Sequence, residues 1–203
     1  MKRHLPLIFS SLLWFTAVTS HSQELVIPGA TLEQRIENLK KLLDGATPES
    51  ESKYLKLALM DKSAEVRAFG ACCIADVEQL HELIRLLTKD PSPKVRSAIA
   101  MTMSSATTDG GLQRCENSSI IEENLPAFLR ALEDHATSPW ILEIFGARFS
   151  YDTVLPCCFS QTSREKVLDA LRRTRESDAA TSAISAVEAC AISNKSLERT
   201  RAR

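Results

Sequence analysis

Asp61-Lys62-Ser63-Ala64-Glu65-Val66-Arg67, laid over Asp90-Pro91-Ser92-Pro93-Lys94-Val95-Arg96, gives a shift of 29 residues at which Asp, Ser, Val and Arg coincide. A unit this short cannot bury its own apolar face, so neighbouring units must stack for any of them to be stable. After each copy the apolar residues Val66/Gly70/Ile74 and Val95/Ile99/Met103 recur every four positions, which predicts one buried helical stripe. Ser63 and Ser92 stand where an N-cap belongs, and Pro93 suits a first helical position because the amide it lacks would be unpaired there.

Ahead of Asp90 lies a second periodic stretch, Leu80/Leu83/Ile84/Leu87, and the same shift backward falls on Tyr54, Leu55 and Ala58. The unit is therefore helix, Asp-bearing turn, helix. Two looser copies follow: Leu125/Phe128/Leu129/Leu132 with Asp134 and then Trp140 to Phe149, and Val167/Leu168/Leu171 with Asp178 and then Ala180/Ile184/Val187/Ala191. Phe69-Gly70-Ala71 returns as Phe145-Gly146-Ala147, where small residues allow close helix packing. Thr31-Leu32-Glu33-Gln34 is a capping box opening a further helix that runs to about Asp44 and caps the array.

These residues resemble the HEAT repeats, in particular the short HEAT-like repeats of the bilin-lyase type, whose second helix opens with Asp, a polar link and Val-Arg. The resemblance is sharpest at Asp61/Val66/Arg67 and Asp90/Val95/Arg96 and extends as a pattern over residues 50–191. It implies an all-α fold, an α-α superhelix or solenoid of about four helix pairs. It also implies a structural ladder of ion pairs among Asp61, Arg67, Asp90 and Arg96, which should break at the third copy, where Trp140-Ile141 replace Val-Arg. Relatives with such repeats attach pigments to cysteines, but fold analogy alone is a poor warrant for activity.

Residues 1–22 have the order of a secretory signal peptide: Lys2-Arg3-His4, an apolar run from Leu5 to Val18, then small and polar residues before Gln23. The run, broken by Pro6, Ser10 and Ser11, is too short for a membrane span, which needs roughly 20 apolar residues. The reading divides the chain into a signal peptide (1–22), a capping helix (23–49), the repeat domain (50–191) and a disordered basic tail (192–203). Cleavage deletes Lys2 and Arg3 and no acid, moving the formal charge from −1 to −3. Such a surface exerts no long-range pull on phosphate backbones, so nucleic acid is not an expected partner. No stable membrane insertion is expected after cleavage.

The six cysteines, Cys72, Cys73, Cys115, Cys157, Cys158 and Cys190, are an even set in an exported chain, which suggests disulfides. Cys115 and Cys157/Cys158 fall in two long links, Ala106 to Glu123 and Tyr151 to Ser163, on one edge of the array; Cys190 points the same way. A bridge from Cys115 to Cys157 or Cys158 is predicted, with Cys190 available to the other. Cys72 should face outward and Cys73 the core. A soft-metal or redox role for the vicinal pairs is the sharper alternative, although neither has C-x-x-C spacing.

His81 and His135 read as surface histidines, and Glu122-Glu123 as acids opening a helix. Asn117 and Asn194 head glycosylation acceptor triplets. No catalytic residue, metal ligand or cofactor is assigned. The expected function is a non-enzymatic protein-binding or scaffold protein of the periplasm or extracellular space, its partner another protein. The alternative is a cysteine-dependent metal or redox protein.

Overall fold

The computed structural model describes residues 27–74, 80–108, 118–146, 158–174 and 178–201, with backbone alone for 106–108 and 190–201. Among these residues there are ten helices and no strand: α1 Leu32–Asp44, α2 Pro48–Leu59, α3 Ala64–Cys72, α4 Leu80–Leu87, α5 Pro93–Thr108, α6 Ser118–Glu123, α7 Leu125–Glu133, α8 Ser138–Gly146, α9 Gln161–Arg173 and α10 Asp178–Arg201. The fold is all-α, as the periodicity predicts. Residues 1–22 lie outside the described part.

Local chemistry sets the helix starts. The Thr31 hydroxyl accepts the Gln34 N–H at 3.2 Å while Gln34 Oε1 accepts the Thr31 N–H, the reciprocal box expected for α1. Thr47 and Ser50 repeat the device at α2, with Pro48 directly inside. At α3 the device differs from expectation. Ser63 occupies the N-cap but its hydroxyl donates to Glu65 and caps no amide, while its own N–H is accepted by Asp61 Oδ1 at 2.7 Å.

The contacts arrange the helices in two rows. α2 packs on α3, α4 on α5, α7 on α8 and α9 on α10. Along one row α3 touches α5, α5 touches α8 and α8 touches α10; along the other α4 touches α7 and α7 touches α9. α1 contacts both α2 and α3, the position a second helix of a preceding unit would take. One continuous apolar core follows the rows from Leu55 to Val187, with Leu83, Leu87, Val95, Ile99, Met103, Phe128 and Phe145 fully buried. A smaller cluster of Ile27, Leu39, Ala58 and Val66 seats α1.

Gly70 explains the close approach of the first pair: a Cβ there would stand 2.6 Å from the Ala58 Cβ. At the corresponding Gly146 it would meet Ala183 at 3.3 Å, so α8 and α10 leave more room.

Four expectations need correction. Ile74 is buried but lies beyond α3, which ends at Cys72. The link from Ala106 to Glu123 is partly helical, since α5 runs on to Thr108 and α6 occupies Ser118–Glu123. Glu122 and Glu123 therefore close a helix instead of opening one. Residues 192–203, expected as a disordered tail, continue α10 as far as Arg201; no Gly or Pro interrupts the run from Asp178. Asn194 is accordingly helical, while Asn117 lies outside the described residues.

Candidate functional site: the turn edge

The turns joining the paired helices share one edge, and charged side chains tie each turn to the next. Arg35 Nη1 donates to Asp61 Oδ1 at 2.7 Å and to Oδ2 at 2.9 Å. Arg67 donates from Nε to Asp90 Oδ2 at 2.8 Å and from Nη2 to Oδ1 at 2.9 Å. Arg96 donates from Nε to Asp134 Oδ2 at 2.6 Å. Each arginine stands four residues after its N-cap residue, Thr31, Ser63 or Ser92, and its backbone N–H bonds that residue's carbonyl. The first turn of a helix thus holds the side chain at a fixed angle to the edge.

Every aspartate has a second task. Asp61, Asp90 and Asp134 each accept the N–H two residues on, from Ser63, Ser92 and Ala136. The arginines likewise grip their own turns: Arg67 Nη1 donates to the Asp61 carbonyl and Arg96 Nη1 to the Asp90 carbonyl, each at 2.8 Å. Burial pushes the Asp90 carboxyl upward, but hydrogen bonds from Arg67 and the Ser92 amide, with the charges of Arg67 and Arg96, outweigh it and hold the group below its ordinary value. The Arg96 hydrogen bond does the same for Asp134.

The four ladder residues expected from the sequence, Asp61, Arg67, Asp90 and Arg96, stand on this edge, but Asp61 pairs with Arg35 and Arg96 with Asp134. Asp134 was read from the sequence as the third turn's aspartate but not as a rung, and Arg35 was not read at all. The spacing from Thr31 to Arg35 matches that from Ser63 to Arg67 and was the available signal. The rungs also differ in shielding. Asp61 and Asp90 side chains are 3% exposed, whereas Asp134 is 28% exposed and receives only one bond from its arginine.

Beyond Asp134 the pattern stops. α8 offers buried Ile141 and half-buried Trp140 in place of a cation, and Asp178 is exposed. Between the third and fourth turns lies a cleft of about 670 Å³, floored by Leu132, Leu142 and Ala170 and rimmed by Glu133, His135, Pro139, Arg173 and Ala179. On the other side of the third turn a cleft of about 550 Å³ is lined by Thr88, Lys89, Arg96, Arg130, Glu133 and Asp134.

At the opposite edge, Glu122 at the end of α6 reaches the start of α9. Its carboxylate accepts the Ser160 hydroxyl, the Ser163 hydroxyl at 2.7 Å and the Ser160 N–H at 3.1 Å. These bonds hold Glu122 below its ordinary value.

Cys72 is exposed and Cys73 half-buried at the end of α3, and both are free. Burial pushes the Cys73 thiol up, and the neighbouring Cys72 and Glu51 act in the same direction. Cys158 is disulfide-bonded. Cys115 and Cys157 lie outside the described residues, and Cys190 is given by its backbone only. His81 and His135 are both exposed. No group of three or more His, Cys, Asp or Glu is placed to hold a metal among the described residues. No described helix is long and apolar enough to cross a membrane.

Comparison of the chain with protein-family models, curated proteins and solved structures finds no match, so its reading rests on geometry.

Proposed function

We propose that the chain is a non-enzymatic binding or scaffold protein of the periplasm or extracellular space, built as an α-α solenoid of HEAT-like helix pairs, with another protein as its partner. The observation that carries this reading is the recurring rung. Arg35–Asp61, Arg67–Asp90 and Arg96–Asp134 spend their charge on joining successive turns, which extends a surface instead of concentrating reactive groups at one point. The contacts of α3 with α5, α5 with α8 and α8 with α10, and of α4 with α7 and α7 with α9, support the solenoid. The zoned residues 1–22 support export, as does a disulfide at Cys158, because such bonds persist in oxidising compartments.

The full chain, tagged at its C-terminus, is expressed through a secretory route, crosslinked in place and purified. A mature mass beginning at Gln23 and a stoichiometric partner, whose binding is reproduced with the two purified proteins, are the expected results. An uncut chain retained in the cytosol would remove the compartment, and the lack of any stoichiometric partner would remove the binding role.

A second reading, a cysteine-dependent metal or redox protein, draws on the free thiols of Cys72 and Cys73. Titration with copper(I) and zinc tests it: one tightly bound ion per chain that is lost when both residues become serine would favour it over the scaffold.

A further inference from the structure

The third turn is a ridge with a cleft on each side, and Glu133 lines both. Lys89 and Arg130 border one cleft and Arg173 the other. All three are exposed, and none makes an ion pair or side-chain hydrogen bond among the described residues. Arg96 commits Nε to Asp134 and Nη1 to backbone carbonyls, and its Nη2 has no acceptor among the described residues, unlike Nη2 of Arg67. Asp134 is neutralised by its rung, so among the described residues that line the clefts Glu133 is the one carboxylate left against Lys89, Arg130 and Arg173. This is a local positive excess on a chain whose formal charge is −1.

The second cleft adds an apolar floor of Leu132, Leu142 and Ala170. Two openings either side of one ridge suit an extended chain, whose successive side chains project in alternate directions and can enter both. A compact solute would fill only one. A nucleic acid backbone would meet Glu133 on the crest with few phosphate contacts to compensate.

We propose that the third turn is the docking edge for an extended acidic segment of a partner protein, with carboxylates received by Lys89, Arg130 and Arg173 and one apolar side chain seated on Leu132 and Leu142. The proposal rests on the binding-protein reading above and gives it a place and a chemistry. Charge complementarity of this kind selects the partner and sets register more than it sets affinity.

The test is fluorescence anisotropy of the full chain with labelled octapeptides carrying one Leu or Phe and two Asp at every spacing. Saturable binding is expected for a subset of spacings. It should weaken at least about tenfold when the Asp residues become Lys or the apolar residue becomes Ser, and again in the Lys89→Glu/Arg130→Glu double variant. Ala179→Trp, which fills the apolar cleft from an exposed position, should weaken it likewise, with thermal melts of both variants unchanged. Failure of every octapeptide, or equal binding by the variants, overturns the docking edge. If a stoichiometric protein partner is nonetheless captured and survives the double variant, only the edge is wrong. If no partner is captured either, the binding reading falls with it.

Discussion

Arg96 holds Asp134 by a single Nε–H···Oδ2 bond of 2.6 Å across 38 residues, whereas Arg67 holds Asp90 by two bonds across 23. The two rungs share a design and differ in shielding: the Asp90 side chain is 3% exposed and that of Asp134 is 28% exposed. Removing one partner of a buried pair strands the other charge, while an exposed one is rescued by water. Asp90→Ala should therefore cost about 3 kcal/mol. Asp134→Ala should cost about 1 kcal/mol. Urea denaturation of both variants measures the difference, and equal losses would refute the ranking.

Acid should weaken the fold through the same groups. Asp90, Asp134 and Glu122 are each held below their ordinary values, so in the range where they titrate the unfolded chain binds more protons than the native one. Their contribution is fully present above the unfolded values, about 3.9 for Asp and 4.3 for Glu. It is lost as pH falls through the lower folded values. The urea midpoint should stay level for these groups near neutrality and decline below about pH 4.5. In Asp134→Asn the decline should be shallower.

Replacing glycine by alanine distinguishes the two close approaches. At Gly70 the new methyl would lie 2.6 Å from the Ala58 Cβ, and α2 and α3 must separate. A loss of about 2 kcal/mol is expected from such overpacking. At Gly146 the distance of 3.3 Å asks for a shift of a few tenths of an ångström, and the better helix propensity of alanine offsets it. Gly146→Ala should fall within about 0.5 kcal/mol of the parent in the same denaturation measurement.

The thiols of the vicinal pair should react in order. Cys72 is exposed, while Cys73 is half-buried with its thiol pushed up, so less of it is thiolate. Alkylation followed by peptide mass spectrometry at neutral pH should label Cys72 first and Cys73 about tenfold more slowly. Equal rates would mean that the end of α3 is open.

The paired helices were legible because the repeat aligned Asp, Ser, Val and Arg at once. Leu83, Leu87, Val95, Ile99 and Met103, all read as core, are fully buried. Arg35 escaped because no aspartate turn precedes α1, so the motif that identifies a rung is only half present there. α6 escaped because six residues give too little periodicity to register as a helix. The role of Glu122 depends on Ser160, 38 residues away, and no local pattern encodes that pairing. Its acidity suggested a helix start, and it does serve one, but that of α9.

The attachment of α9 and α10 changes sides. The turn-edge ties end at Asp134, and the polar tie that follows, from Glu122 to Ser160 and Ser163, sits at the start of α9. The last pair is therefore joined to the array by the apolar packing of α10 on α8 and by one carboxylate at the start of α9, with no rung across the cleft between Pro139 and Ala179 among the described residues. Loosening that pair would leave all three rungs whole, because none of Arg35, Arg67 and Arg96 pairs with a residue of α9 or α10.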